Sequence, residues 1–387
     1  MVTVLIFIII LGLLVFVHEF GHFIVARRNG VGAEEFGFGF PPRILGIYKN
    51  RDGRWKIAWG SKEVKSDDTI YSINWVPLGG FVKITGEDGE EKANPRSFAG
   101  KKPFARVRIL AAGVIMNLIL AVALFSFSFY LGVPQIADEV TNGKTGAEKI
   151  QISDIGKGTP AETMGLRMGD QILGAIDSGG NSVSFSNVDQ IQQYVAENKG
   201  SQITLDLKRG NEELKLSGVP RAESPQGEGP LGIGLVETVD VSYPWYQAIV
   251  EGFKYTFNLI IVFISFLGGL IWRLVAGQPA GLDSVSGPVG IAVLTGQVAK
   301  LGLNYLVRFA GMLSVNLAII NALPIPALDG GRILFILIEK IKGSPVSQRI
   351  EQRAHSVGFA LLISLMVFVT FRDVMRFDIV EKVRNLF

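Results

Sequence analysis

Apolar residues fill this chain in long runs that show neither the helical nor the strand period, separated by polar stretches that do. The first run, Val2 to Ala26, is 25 residues long, and its only strongly polar members are His18, Glu19 and His22. A helix of about 20 apolar residues crosses the hydrocarbon core of a bilayer, so this run predicts a transmembrane helix. Arg106–Leu131, Leu303–Leu323 and Val357–Phe371 predict three more, and Phe257–Val275 has a similar hydropathy. Between Val133 and Pro244 the pattern changes. Alternation in Lys149-Ile150-Gln151-Ile152, Gln171 to Ile176 and Ile203 to Leu207 predicts strands. Thr159-Pro160-Ala161-Glu162 reads as an N-cap, an N1 proline and an acidic first turn, and a second helix is expected over Asn187–Glu197.

These signals predict a multi-pass α-helical membrane protein of about four spans, with a membrane-associated β-hairpin region and one inserted α+β domain. The expected units are 1–132, 133–230, 231–302 and 303–387. Within the first, Phe36-Gly37-Phe38-Gly39-Phe40-Pro41-Pro42 and Val76 to Ile84, which holds Gly79, Gly80 and Phe81, favour extended chain. Trp55, Trp59 and Trp75 suit a membrane interface. Two readings stand: ordinary hairpins on a soluble loop, or a small sheet reaching the first helix with an edge open to an extended substrate.

Composition agrees with a membrane protein: 48% of residues are hydrophobic, 19% are charged, and the mean hydropathy is +0.34. The net charge of +3 gives no footprint for nucleic acid. With no cysteine, any metal must be held by His, Asp or Glu. From Arg27 to Arg108 there are 16 Lys+Arg against 10 Asp+Glu; from Val133 to Pro244 there are 9 against 16. The positive-inside rule then places the first region in the cytoplasm and the second on the exported face.

The chemistry lies in His18-Glu19-Phe20-Gly21-His22, an H-E-x-x-H motif. On a helix its two histidines are one turn apart, about 40° from each other in projection, so both imidazoles can meet one ion. Zinc suits two neutral imidazoles, with Glu19 placed as a general base. Asp329 is the only carboxylate between Asp283 and Glu339 and is the natural third ligand. Pro324 and Pro326 break the helix before it. Asn117, four residues after Gly113, is a secondary candidate for a neighbouring helix or bound peptide, although helix packing alone accounts for the pair. His355 is read as a surface residue at a helix start, with no claim on metal.

Topology ties these together. If Phe257–Val275 crossed the membrane, Asp329 would reach the exported face, away from the histidines. If that run lies in the outer leaflet, Leu303–Leu323 delivers Asp329 to the cytoplasmic side and the site closes.

The combination of His18 to His22, Ser286-Gly287-Pro288-Val289-Gly290 and Asn321 to Gly331 resembles the site-2 protease family, in its bacterial RseP/RasP-like branch. Gly158 to Glu162 and Gly169 to Leu173 resemble a circularly permuted PDZ domain, of which one is present. The resemblance implies a zinc endopeptidase of the inner membrane that cuts transmembrane segments of single-span proteins. Anti-sigma factors and remnant signal peptides are the expected substrates, with the PDZ domain contacting exported peptide ends or acting as a size filter. It implies Zn2+ on His18, His22 and Asp329, Glu19 as base, Asn316 and Asn321 handling substrate, and the glycine-rich hairpins clamping it as a strand. Two other classes fit parts of the sequence: a PDZ membrane scaffold with a degenerate metal site, which would not need Glu19, and a zinc peptidase for soluble peptides.

Overall fold

The computed structural model describes residues 2–376 except 51, 62–63, 65–67, 88–92, 138–143, 177–179, 181, 211, 226, 279–285 and 345. Residues 377–387 of the last expected unit therefore lie outside the described residues. The elements run α1 (Val2–Arg28), β1 (Ala33–Lys49), β2 (Trp55–Trp59), β3 (Ile70–Ile84), α2 (Pro103–Leu131), β4 (Val133–Ile136), β5 (Lys144–Ile155), α3 (Pro160–Met164), β6 (Gln171–Ile176), β7 (Ser182–Ser184) and α4 (Val188–Glu197). They continue with β8 (Ile203–Arg209), β9 (Glu212–Gly218), β10 (Ile233–Ser242), α5 (Trp245–Val275), α6 (Pro288–Leu301), α7 (Leu303–Ala322), α8 (Asp329–Lys342) and α9 (Gln348–Arg376). Two compact units result: Met1–Phe125 with Gly252–Gly296 and Phe309–Phe387, and Ser126–Glu251 with Gln297–Arg308.

Five helices, α1, α2, α5, α7 and α9, are long and apolar enough to cross a membrane by length and composition. They make this a multi-pass membrane protein with a β region. In α1 the buried positions Ile10, Leu14, His18, His22 and Ala26 recur every fourth residue, with Gly21 beside them, while Val4, Leu5, Ile9 and Leu13 face outward. A helix apolar all round with one inward stripe of polar and small residues is the form expected in lipid. The helix α5 begins at Trp245, well before the run expected from Phe257, because its first turns bury only the small residues Ala248, Gly252 and Thr256. Hydropathy alone does not pick out such a stripe.

The first unit holds a sheet of order β2-β1-β3 in which β1 and β3 each fold back on themselves. Phe36, Gly37 and Phe38 partner Val82, Phe81 and Gly80, while Leu45, Gly46 and Ile47 partner Ile73, Ser72 and Tyr71. Residues 35–38 also lie alongside 70–73 with both numbers rising together. The two hairpins are thus interleaved, one turning near Pro41-Pro42 and the other near Pro77 to Gly79. Proline lacks the N–H a ladder needs, which is why all three prolines fall at the bends. Phe36 lies against α1, its ring 4.6 Å from that of Phe23 and 5.4 Å from that of Phe16. Of the two readings, the structure gives the sheet against the first helix. Arg43 is buried under it, bonded to the Gly60 carbonyl and to Glu35 at 3.1 Å.

A small core of Ala26, Val31, Ile84, Phe98, Ile109 and Ile336 joins the ends of α1, β3, α2 and α8. Around it Arg106 pairs with Glu339 at 2.9 Å, and Arg332 pairs with Glu87. Near its end α9 carries the fully buried Asp373, whose Oδ2 accepts the Gly287 and Gly290 N–H groups at 2.8 Å each and so ties α9 to the start of α6.

The second unit is built mainly of strands. Its sheet has the order β4-β10-β5-β6-β8-β9, with β7 beside β6. Ile152, Ile172, Ile191, Leu205 and Leu207 lie in its core. The expected Thr159 cap is present, with Thr159 Oγ accepting from the Glu162 N–H and the Glu162 carboxylate from the Gly158 N–H, and Asn187, expected inside the second helix, stands as the N-cap of α4. Asp170 is fully buried and held by Arg209 through two hydrogen bonds of 2.7 and 2.6 Å.

Candidate metal centre

Helix geometry puts His18 and His22 on the inward stripe of α1, and α2 sets their rotation. His22 donates from Nδ1 to the Ile109 carbonyl at 2.8 Å, which fixes the tautomer that leaves a lone pair on Nε2. The Asn117 amide lies 3.3 Å from His18 Nδ1. Its Oδ1 is otherwise buried without a partner. With the amide turned so that this oxygen accepts from Nδ1–H, His18 also presents a bare Nε2. Asn117 is itself fixed from behind, since its backbone carbonyl accepts from Ser314 Oγ of α7 at 2.8 Å.

Space for both rings comes from Gly113. A Cβ there would stand 2.4 Å from His22 Nε2 and 2.7 Å from His18 Cε1. Gly21 lets α1 and α2 come together, since a Cβ on it would meet the Ala112 carbonyl oxygen at 2.5 Å. The sequence flags Gly113 only as a small residue suited to packing. That an imidazole pair fills its space is a tertiary fact with no signal in the local pattern.

Asp329 arrives from the other side, at the first turn of α8. Its Oδ2 lies 3.0 Å from His18 Nε2 and 3.3 Å from His22 Nε2, and the two Nε2 atoms are 3.1 Å apart. The carboxylate stands where the α8 dipole favours negative charge. The segment from Ala322 to Pro326 wraps over this helix start. Beta carbons on Gly330 and Gly331 would fall 2.3 Å from the Ala322 carbonyl oxygen and 2.2 Å from that of Ile325. Ala327 within the wrap has φ +81°, a left-handed conformation costing a non-glycine residue about 1–2 kcal/mol.

Among the described residues, His18, His22 and Asp329 form the one group of three whose ligand atoms lie within 4.8 Å of one another. These atoms are two imidazole lone pairs and a carboxylate oxygen that receives no hydrogen bond. Three acceptors facing one another repel unless a cation lies between them. A tetrahedral ion with bonds of about 2.0–2.1 Å would separate its ligands by about 3.3 Å, close to the spacing found. The residues fit a metal with an open fourth position.

Glu19 sits on the α1 face turned toward β3, against Gly80. Gly79 and Gly80 permit that approach: their beta carbons would meet Val15 Cβ at 2.5 Å and Phe16 Cα at 2.7 Å, and Glu19 Cβ lies 3.2 Å from the latter. Phe81 follows, part-buried and paired with Gly37. Asn316 and Asn321 are part-buried on α7, and the Asn316 Oδ1 has no partner. Neither bonds to the three ligand atoms, so the structure brings together the motif, Asp329 and Asn117, and these two asparagines are not part of that cluster.

His355 differs from its expected place. It is part-buried on α9, its ring 5.6 Å from that of Phe335, and its Nδ1 accepts the Ala327 N–H at 2.8 Å. Burial of the Asp329 loop against α9 is what takes it from the surface.

Residues 6–60 and 61–365 match the family described as Peptidase family M50. A provisionally named zinc metalloprotease of Clostridium perfringens is 34% identical over 362 residues, covering 93% of this chain and 95% of its own length. Another of Agrobacterium fabrum is 32% identical over 392 residues, 95% and 94% of the two chains. The zinc metalloprotease RasP of Geobacillus kaustophilus is 28% identical over 454 residues, 97% and 98% of the two.

Proposed function

Since the chain belongs to peptidase family M50, the site-2 proteases, we propose that it is a zinc endopeptidase that cuts peptide bonds inside transmembrane segments of single-span membrane proteins. The observation carrying this reading is the convergence of His18 Nε2, His22 Nε2 and Asp329 Oδ2, with both histidines on a helix that is otherwise apolar. His18, His22 and Asp329 hold the metal, and Glu19 is the general base. When bound, zinc polarises the scissile carbonyl and acidifies the attacking water. Glu19 takes a proton from that water as its oxygen attacks the carbonyl carbon, then returns it to the amide nitrogen as the C–N bond breaks. Asn316 or Asn321 donates to the oxygen on which negative charge develops.

A peptide bond in a membrane helix is shielded, so the segment must unwind before it is cut. The Gly80–Ile84 arm of β3 pairs with β1 on one side, and among the described residues its other side pairs with no strand. An unwound segment lying along that arm, past Glu19, recovers backbone hydrogen bonds there. Helix α5 lies along the outer leaflet, leaving four spans. In support, Asn304 at the start of α7 bonds to the Gly132 carbonyl at the end of α2, so those two ends share one face of the membrane. The chain between them crosses an even number of times. By the charge rule that face is the exported one, with the second unit, which we read as a permuted PDZ domain, outside and the metal nearer the cytoplasm. The substrates are anti-sigma-factor-like proteins or remnant signal peptides, and the PDZ domain contacts exported peptide ends.

Cleavage of a membrane-spanning reporter by purified wild-type and Glu19→Gln protein tests the reading. Cleavage by the wild type, lost in the variant with zinc still bound, is expected. Equal cutting by both, or equally good cutting of a water-soluble peptide, would overturn it.

A further inference from the structure

The left-handed turn at Ala327 stands two residues before a metal ligand, and a side chain from another helix holds it. Ala327 is the one described non-glycine residue with positive φ. Its N–H points out of the wrap, where His355 Nδ1 accepts it at 2.8 Å. One turn further along α9, Gly358 is bare where the wrap touches the helix: a Cβ there would meet the Pro326 carbonyl oxygen at 2.4 Å. His355 and Gly358 are three residues apart, so they share one face of α9, and that face is the floor on which the loop rests. The roof is the start of α8, where Gly330 and Gly331 admit the carbonyls of residues 322–325. Phe335 of α8 lies against the His355 ring, which ties floor and roof together.

We infer that His355 is a positioning residue for the metal: by accepting the Ala327 N–H it keeps that residue left-handed, and so sets where the Asp329 carboxylate emerges. This rests on the reading that His18, His22 and Asp329 hold the ion. It gives α9 a part in the site through a residue that touches neither metal nor substrate. The role follows from connectivity. Between Ala327 and Asp329 there is a single residue, Leu328, which caps α8 without a side-chain hydrogen bond. No side-chain cap at the helix start fixes the carboxylate's direction, so the loop's conformation does. If the acceptor is lost, Ala327 relaxes toward negative φ, the backbone swings, and Oδ2 leaves the position 3.0 Å from His18.

The test uses the full-length protein in nanodiscs, with zinc affinity read by competition against a chelator and stability by melting of the metal-free protein. His355→Leu keeps the bulk and removes the acceptor; its zinc affinity is expected to fall about tenfold or more, as for the loss of other groups that orient a ligand. His355→Asn places Oδ1 where Nδ1 stands and should hold zinc nearly as the wild type does. Ala327→Gly removes the conformational penalty and should restore much of what His355→Leu loses. Metal-free melting of the two His355 variants should stay close to that of the wild type. Wild-type zinc binding by His355→Leu beside damaged binding by Asp329→Asn would overturn this inference alone. An equal loss in the Leu and Asn variants with a matching fall in metal-free melting would overturn it in favour of general packing. Unchanged zinc binding in Asp329→Asn would remove the metal site and this inference with it.

Discussion

The imidazoles and the carboxylate reach one point by different routes. His18 and His22 share a helix, so their spacing is set by local hydrogen bonds and only their ring rotation is left to α2. Asp329 hangs from an irregular wrap between two helices, fixed by close backbone contacts at Gly330, Gly331 and Gly358. The obstacle at Gly113 is side chain, which can turn away; on the aspartate side it is main chain, which cannot. One side of the centre is therefore built so that damage costs the metal, and the other so that damage costs the fold as well.

The largest effect expected is chemical. Glu19→Gln should lower cleavage by about 10²–10⁴-fold, the range for a lost general base, with zinc retained. Chelation should abolish the remaining activity of the wild type, and added zinc should return it. Next come the two sides. Gly113→Ala should abolish zinc binding while metal-free melting stays close to wild type, because the imidazoles swing aside. Gly330→Ala or Gly331→Ala should lose zinc and also about 1–3 kcal/mol of stability. Equal melting losses on both sides would erase the contrast. Asn117→Leu should weaken zinc binding about tenfold, and Asn117→Asp, which keeps an acceptor for His18 Nδ1, should not. The smallest effect is expected where neither side is touched. Thr159→Ala in the second unit removes an N-cap and should cost about 1 kcal/mol, with zinc affinity unchanged.

What could be read from the sequence follows the same division. The four expected apolar runs fall on α1, α2, α7 and α9, with Leu323 just past the end of α7, and the three expected strands lie within β5, β6 and β8, with α3 starting after the Thr159 cap and α4 in the second expected helix; β7 and β9 carried no signal. Each signal that was present depends on neighbours within a few residues. The H-E-x-x-H spacing is local too, and Asp329 stood out because no other carboxylate was near. The interleaving of β1 and β3 was hidden, since Phe36 finds partners at both Tyr71 and Val82 and nothing nearby specifies the choice. The space at Gly113 and the acceptor on His355 depend on packing across helices, and they were hidden for the same reason. Helix α8 was missed as an element because its short amphipathic pattern follows directly on the proline break.

The interleaved hairpins set a schedule for biogenesis. The arm from Ala33 to Phe38 lacks its full set of neighbours until Ile84 has left the ribosome. Until then Phe36, on which the rings of Phe16, Phe20 and Phe23 of α1 converge, sits in an unfinished sheet, so anything that stalls translation between the two arms leaves an aromatic helix face without its settled partner.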